Sequence, residues 1–288
     1  MTPPNTDDPH TLVSTAWLAS HLNDADLRIL DASWYLPGTD RDAKSEFEQS
    51  HIPGARFFDI DEISDGRSDL PHMAPPPEKF ASRMRAMGVG DGHQVIVYDG
   101  SGLFSAARVW WLFKLMGHHS VAVLDGGLPK WVADGHKTKT NPALIRDKHM
   151  TPQPEPFRVR DVTQVARAAK LGDHSIIDAR APARFKGETD EPREGLRAGH
   201  IPGSKNVFYQ TLLNADGTMK ATTVLRTIFK EAGVDLSKPA ITTCGSGVTA
   251  AILSLALERI GKTDHALYDG SWSEWGMYAD LPIATGAT

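Results

Sequence analysis

The chain has 288 residues, which is enough for about two domains of roughly 100–200 residues each. Its 31 basic and 36 acidic residues give a net charge of −5 without a long basic run, so the composition argues against a nucleic-acid partner. The single cysteine excludes an internal disulfide and any multi-cysteine metal site, and the 12 histidines show no metal-binding spacing.

The N-terminal stretch MTPPNTDDPH is polar and acidic, and it predicts no secretory signal. The longest apolar stretch, VWWLFKLMG at 109–117, is interrupted by Lys114 and is too short to span a bilayer. We therefore expect no membrane segment and a cytoplasmic location, where a free thiol stays reduced.

Short β-rich runs alternate with segments of helical periodicity along the chain. We predict strands at Arg28–Asp31, Val95–Tyr98, Val121–Leu124, Ile176–Asp178 and Ala240–Thr243, and helices at Glu78–Met87, Ala106–Met116 and Val248–Ile260. This alternation predicts the α/β class, with mostly parallel sheets flanked by helices.

Four pairs of segments recur in the same order at an offset of 144–149 positions. ILDAS (29–33) matches IIDAR (176–180), and HIPGA (51–55) matches HIPGS (200–204). VIVYDGSG (95–102) matches AITTCGSG (240–247), and LDGGLPKW (124–131) matches YDGSWSEW (268–275). The pattern predicts two copies of one domain, at 10–140 and 157–284, joined by a proline-rich linker at 141–156.

The only cysteine, Cys244, lies in the predicted bend between a strand and a helix. Glycines let backbone N–H groups turn towards a central anion, and a helix N-terminus adds positive potential, so a thiolate is favoured there. The corresponding residue of the first copy is Asp99, so packing does not require a cysteine at this position. We predict an anion cradle made by the backbone of Gly245, Ser246, Gly247, Val248 and Thr249.

Three other loop chemistries fail on inspection. A cysteine-dependent phosphatase loop needs Arg six positions after the thiol, where Ala250 stands. No Gly-Lys-Ser/Thr phosphate loop follows the strand, and a thioredoxin-like motif would need a second cysteine.

CGSGVTA (244–250), the doubled HIPG and YDGSWSEW together resemble the tandem rhodanese-fold sulfurtransferases, over roughly residues 10–282. The six-residue loop CGSGVT is similar to that of the 3-mercaptopyruvate branch of that family. The resemblance implies two rhodanese-like domains, the first of which has lost its nucleophile and carries Asp99 instead. It also implies that Cys244 takes sulfur from 3-mercaptopyruvate as a persulfide, releases pyruvate, and passes the sulfur to cyanide or a thiol such as thioredoxin.

The resemblance also implies roles for other residues. Arg184 and Arg193, nine positions apart, match the family's clamp for the substrate carboxylate, and an Arg fork suits a carboxylate. Ser246, His72 and Asp61 match a Ser-His-Asp set that moves protons near the cysteine. We choose Asp61 for its spacing of eleven before His72, with three other acidic residues competing for the role: Asp59, Asp65 and Asp69.

No cofactor or metal is implied, because the persulfide itself carries the transferred group. Two other functions remain open at this point. One is a thiosulfate:cyanide sulfurtransferase with an unusual loop, although a dianionic donor favours more positive charge than this loop supplies. The other is a catalytically idle rhodanese-like module that binds partners or stores sulfur.

Overall fold

A computed structural model of the chain describes residues 7–36 and 38–287. The chain divides into two compact units, each built around its own sheet. None of the helices within the described ranges is both long and apolar enough to cross a bilayer.

The first unit contains a five-stranded, wholly parallel sheet in the order β1-β5-β4-β2-β3. The strands are β1 (Leu12–Val13), β2 (Leu27–Asp31), β3 (Ala55–Phe57), β4 (Gln94–Tyr98) and β5 (Val121–Leu124). The helices are α1 (Thr15–His21), α2 (Ala43–Gln49), α3 (Ile60–Ile63), α4 (Pro77–Ala86), α5 (Ala106–Leu115) and α6 (Gly127–Ala133).

The second unit repeats this arrangement, with a parallel sheet in the order β6-β10-β9-β7-β8. Its strands are β6 (Val159–Arg160), β7 (Ser175–Asp178), β8 (Lys205–Asn206), β9 (Ala240–Thr243) and β10 (His265–Tyr268). Its helices are α7 (Val162–Leu171), α8 (Pro182–Lys186), α9 (Thr222–Glu231), α10 (Ala250–Arg259) and α11 (Ser271–Trp275), with short 3₁₀ turns at Pro156–Arg158 and Tyr209–Leu212. The predicted α/β class and the duplication of the domain are confirmed.

The central strands and the helices that follow them form the core of each unit. All four residues of β9 are buried, and so is every residue of α5, including Trp110, Trp111 and Phe113. Strands buried on both faces are expected in parallel sheets, because helices cover both sides. This packing fixes the ends of β4 and β9, where the two loops with the repeated Gly-Ser-Gly pattern begin.

Two short segments group with the unit opposite to the one that chain order suggests. Residues 67–73 belong to the second unit, and residues 213–219 belong to the first. The two segments are 146 positions apart, which is the offset of the internal repeat, so the exchange is reciprocal. Residues up to Glu155 group with the first unit. The boundaries at 140 and 157 stay a prediction.

Candidate functional site

Cys244 directly follows β9, and residues 245–249 separate it from α10. The turn depends on Gly247, whose φ of +79° lies in the left-handed region that favours glycine. Cys244 is a free thiol and only 2% exposed. The structure therefore confirms the predicted strand–loop–helix around the cysteine, with α10 starting two residues later than expected.

The corresponding loop of the first unit wraps around an anion from its own chain. The Oδ2 atom of Asp99 accepts hydrogen bonds from the backbone N–H groups of Phe104 (2.8 Å), Ser105 (3.0 Å) and Ala106 (2.9 Å). Its Oδ1 atom accepts from the N–H of Ser101 at 2.9 Å. This loop geometry therefore holds one buried negative charge through four peptide groups.

The repeat assigns counterparts to these four donors in the cysteine loop. Asp99 and Cys244 are 145 positions apart. Adding this offset to the four donor positions gives the N–H groups of Ser246, Thr249, Ala250 and Ala251. Ser246 and Thr249 belong to the cradle predicted from the sequence. Ala250 and Ala251, in the first turn of α10, lie outside that prediction, and the alignment of the two loops adds them as candidates.

The start of α11 holds the backbone of the cysteine loop. Ser271 Oγ accepts a hydrogen bond from the N–H of Cys244 at 3.3 Å and donates one to Tyr268 O at 2.8 Å. The N–H of Trp272 donates to Cys244 O at 3.0 Å. Ser273 donates to Gly245 O from both its N–H (2.9 Å) and its hydroxyl (2.7 Å). The sequence indicates this segment only as part of the repeat and of the family motif YDGSWSEW, so the contacts of these serines were not predicted.

The structure brings His72 and Ser246, two of the three residues of the Ser-His-Asp set, into contact. The Nδ1 atom of His72 lies 3.0 Å from Ser246 Oγ, and both side chains are buried. His72 has a φ of +61°, and Ser271 has a φ of +50°; in the described part of the chain these are the two non-glycine residues with positive φ. Strained backbone of this kind is typical of functional sites, and here both residues contact the cysteine loop.

Asp61 belongs to the first unit. Its Oδ2 atom accepts a hydrogen bond from Trp34 Nε1 at 3.0 Å, and it lines a cavity of about 370 Å³ together with Trp34, Tyr35 and Arg41. Among the competing acidic residues, Asp59 caps α3 by accepting from the N–H groups of Asp61 and Glu62. The orientation of His72 by Asp61 stays a prediction.

Arg184 lies on α8 with its guanidinium against the cysteine loop. A Cβ atom built on Gly245 would lie 3.0 Å from Arg184 Nη2, so this side chain fills the space beside the loop glycine. Arg184 also pairs with Glu191, with 2.5 Å between Nη2 and Oε2. Arg193 is half-buried in the loop that follows α8. The role of these two residues as a carboxylate clamp stays a prediction.

A buried network of ion pairs includes Glu191, the partner of Arg184. Arg180 forms hydrogen bonds to both carboxylate oxygens of Asp178, and its Nη1 lies 2.8 Å from Glu191 Oε1. Burial disfavours the charged form of Arg180, but its two acidic partners outweigh this effect and raise the pKa of the guanidinium. Within the described residues, no group of three or more His, Cys, Asp and Glu side chains is placed to hold a metal ion.

Comparisons with known proteins agree with this architecture. The chain matches the rhodanese-like domain family twice, over residues 14–134 and 161–278. It is 45% identical over 272 residues to the 3-mercaptopyruvate sulfurtransferase of Escherichia coli K12, covering 94% of this chain and 96% of the relative. It is 41% identical over 300 residues to the mitochondrial thiosulfate/3-mercaptopyruvate sulfurtransferase 1 of Arabidopsis thaliana, covering 97% of this chain and 79% of that one.

A solved structure shares both sequence and fold with the chain. The crystal structure of SseA from Escherichia coli, described as having the rhodanese fold, superposes with a TM-score of 0.83 at 43% sequence identity. The match covers 91% of this chain and 99% of SseA.

Proposed function

The chain belongs to the rhodanese-like family, and on that premise we propose that it is an enzyme that transfers sulfur from 3-mercaptopyruvate through a persulfide on Cys244. The observation that carries this proposal is the loop that follows β9: it places a lone thiol where the matching loop of the first unit holds a carboxylate with four N–H groups. An environment that stabilises a carboxylate also stabilises a thiolate, and the thiolate is the nucleophilic form.

In the first step, the Cys244 thiolate attacks the sulfur of 3-mercaptopyruvate. The S–S bond forms as the C–S bond breaks, and the C–S electron pair leaves with the carbon as the enolate of pyruvate. The proton of the donor's thiol group moves to the enolate carbon, which gives pyruvate and leaves the persulfide as an anion. A persulfide anion carries the same charge as the thiolate, so one set of N–H groups serves both states.

In the second step, a thiolate or cyanide attacks the outer sulfur of the persulfide, and the S–S electron pair returns to Cys244. The sulfur leaves on the acceptor, and the enzyme returns to its starting state. We assign a thiol such as that of thioredoxin as the physiological acceptor and the reducing cytoplasm as the working compartment, since both suit an enzyme that carries one free cysteine.

His72 and Ser246 supply the proton transfers. Their contact of 3.0 Å gives a path between the imidazole and the space beside Cys244. We assign Asp61 to the orientation of His72, and Arg184 and Arg193 to the substrate carboxylate, in keeping with the planar fork of the guanidinium group.

The test measures pyruvate released from 3-mercaptopyruvate with a thiol acceptor, together with the intact mass of the protein after exposure to the donor. We expect steady pyruvate release and a gain of one sulfur atom on the wild type, and neither for Cys244→Ser. Turnover with thiosulfate but not with 3-mercaptopyruvate would indicate the thiosulfate:cyanide reaction instead. Absence of turnover and of any mass gain would indicate an idle module.

A further inference from the structure

A chain of four charged side chains runs from the end of β7 to the cysteine loop. Asp178 pairs with Arg180, Arg180 with Glu191, and Glu191 with Arg184. The first three side chains are 1% exposed, whereas Arg184 is 26% exposed. The chain of ion pairs therefore leads from the protein interior to a partly accessible guanidinium group.

Both arginines of this chain reach elements that hold the cysteine loop. Arg184 fills the space beside Gly245, within 3.0 Å of where a side chain on that glycine would begin. The guanidinium carbon of Arg180 lies 4.2 Å from the ring centroid of Trp272. The backbone N–H of Trp272 donates a hydrogen bond to Cys244 O. A change in the charge of the network therefore changes the electrostatic potential at the cysteine loop.

Glu191 is the member that links the two arginines. Its Oε1 atom accepts from Arg180 Nη1 at 2.8 Å and from Arg184 Nε at 3.3 Å, and its Oε2 atom pairs with Arg184. The two carboxylates and two guanidinium groups sum to zero charge. Because the side chain of Glu191 is only 1% exposed, its charge is poorly screened by water, and Arg184 acts on the loop as half of a neutralised pair.

We propose that Glu191 determines which sulfur donor the enzyme prefers. By neutralising Arg184 beside Gly245, it keeps the net charge near the loop low. The single carboxylate of 3-mercaptopyruvate can still accept hydrogen bonds from the guanidinium group, whereas the dianion thiosulfate lacks the extra positive charge that it needs. Glu191 also fixes the direction in which Arg184 points, so it is a positioning residue for the carboxylate clamp. This inference rests on the proposed function, since it requires Arg184 to meet the donor.

The test compares kcat/KM for 3-mercaptopyruvate and for thiosulfate, with cyanide as the common acceptor. Glu191→Gln keeps the shape of the side chain and removes its charge, which leaves an unneutralised Arg184. We expect the ratio of the two kcat/KM values, 3-mercaptopyruvate over thiosulfate, to fall by about tenfold, with thiosulfate turnover rising in absolute terms.

A second variant separates the effect of the Glu191 charge from its effect on the direction of the Arg184 side chain. Glu191→Asp keeps the charge but is one methylene shorter, so it cannot reach both arginines. We expect KM for 3-mercaptopyruvate to rise about fivefold at unchanged kcat, with no gain on thiosulfate. The matched control is Glu258→Gln, which breaks the pair of Glu258 with Arg158 (3.0 Å) near the far end of α10; its donor ratio should equal that of the wild type.

Equal losses on both donors in Glu191→Gln would overturn the inference while leaving the proposed function intact. If Glu191→Gln does not fold, Glu191→Asp decides, and an unchanged KM for 3-mercaptopyruvate overturns the inference. A wild-type chain that uses thiosulfate but releases no pyruvate from 3-mercaptopyruvate would overturn this inference and the proposed function together.

Discussion

His72 Nδ1 lies 3.0 Å from Ser246 Oγ, and Ser246 stands two positions after Cys244. The contact joins the segment 67–73 to the cysteine loop within one compact unit. An imidazole in this place is within reach of a proton on the loop hydroxyl, which is the first requirement for general acid–base catalysis.

Replacing His72 should slow sulfur transfer without unfolding the protein. We choose His72→Asn because asparagine tolerates the left-handed backbone found here (φ +61°) and does not take up a proton near neutral pH. We expect kcat/KM for pyruvate release to fall on the order of 100-fold, because the proton path through the imidazole is lost. Ser246→Ala should cause a similar loss, and the double variant little more, because the two residues act as a unit.

The control for that experiment is His174→Ala, which removes an imidazole that pairs with Asp173 (2.6 Å) in the same unit. Its pyruvate release should equal that of the wild type. Wild-type kinetics in His72→Asn would exclude His72 from the mechanism.

The carboxylate clamp makes a different prediction. Arg184→Ala or Arg193→Ala should weaken the use of 3-mercaptopyruvate more than the use of thiosulfate, because only the former donor carries a carboxylate. We expect about 10- to 100-fold in kcat/KM for 3-mercaptopyruvate, the range for loss of a charge-assisted hydrogen bond. The measurement is steady-state kinetics on both donors, with a thermal unfolding curve for each variant. Parallel losses on the two donors would indicate a structural role instead.

Local sequence patterns could predict the centre of each unit. β4 and β9 are short runs rich in β-branched residues, followed by glycine-rich bends and apolar helices, and such patterns are set by neighbouring residues in the chain. Strands such as β1, β6 and β8 have two residues each and show no periodicity, so they were not predicted. The sheet order around them depends on pairing between distant segments.

The parts of the site that were missed are contacts that only the tertiary fold creates. Ser271 bonds to the backbone of Cys244, 27 positions away, and leaves no local signal. Glu191 lies in a loop of charged residues, and such loops are usually exposed to solvent. Its side chain is nevertheless buried, where it pairs with Arg180 and Arg184. The repeat was the most informative signal, because it relates the loop at Asp99 to the loop at Cys244.

Removing the carboxylate of Asp99 should destabilise the protein. Asp99 is 1% exposed, and Asp99→Ala leaves four N–H groups without their acceptor. We expect the free energy of unfolding to fall by about 3 kcal/mol, and by less for Asp99→Asn, which keeps one carbonyl oxygen in the loop. Urea denaturation followed by tryptophan fluorescence measures both. A loss below about 0.5 kcal/mol for Asp99→Ala would mean that the loop does not depend on a bound anion.

Gly127 and Ser271 hold corresponding positions of the repeat, and both have positive φ, +56° and +50°. A Cβ atom on Gly127 would lie 2.4 Å from Asp99 O and 2.6 Å from Gly102 O, both backbone atoms, whereas Ser271 already carries a Cβ atom at its position. Gly127→Ala should therefore cost about 3 kcal/mol of unfolding free energy, and Ser271→Ala only about 1 kcal/mol for its lost hydrogen bonds. Equal losses in urea denaturation would show that the two positions do not differ in the space beside them.

Asp31, at the end of β2, makes the stability of the first unit depend on pH. Burial is the main cause that raises the pKa of its carboxyl group from 3.8 to about 6, and hydrogen bonds from Ser33 and Tyr98 only partly oppose it. The folded state therefore binds this proton more tightly than the unfolded state does. The corresponding Asp178 differs in having Arg180 as a partner in the position that Ser33 occupies here.

The sign of the effect follows from linkage. The contribution of Asp31 is fully present below pH 4 and is lost as the pH rises through about 6, at a total cost of about 3 kcal/mol. Asp31→Asn cannot ionise, and its carbonyl oxygen still accepts from Ser33. We expect the variant to match the wild type within about 1 kcal/mol at pH 4 and to exceed it by about 2–3 kcal/mol at pH 8 in urea denaturation. A difference between the two proteins that stays constant from pH 4 to pH 8 would mean that Asp31 titrates normally in the folded protein.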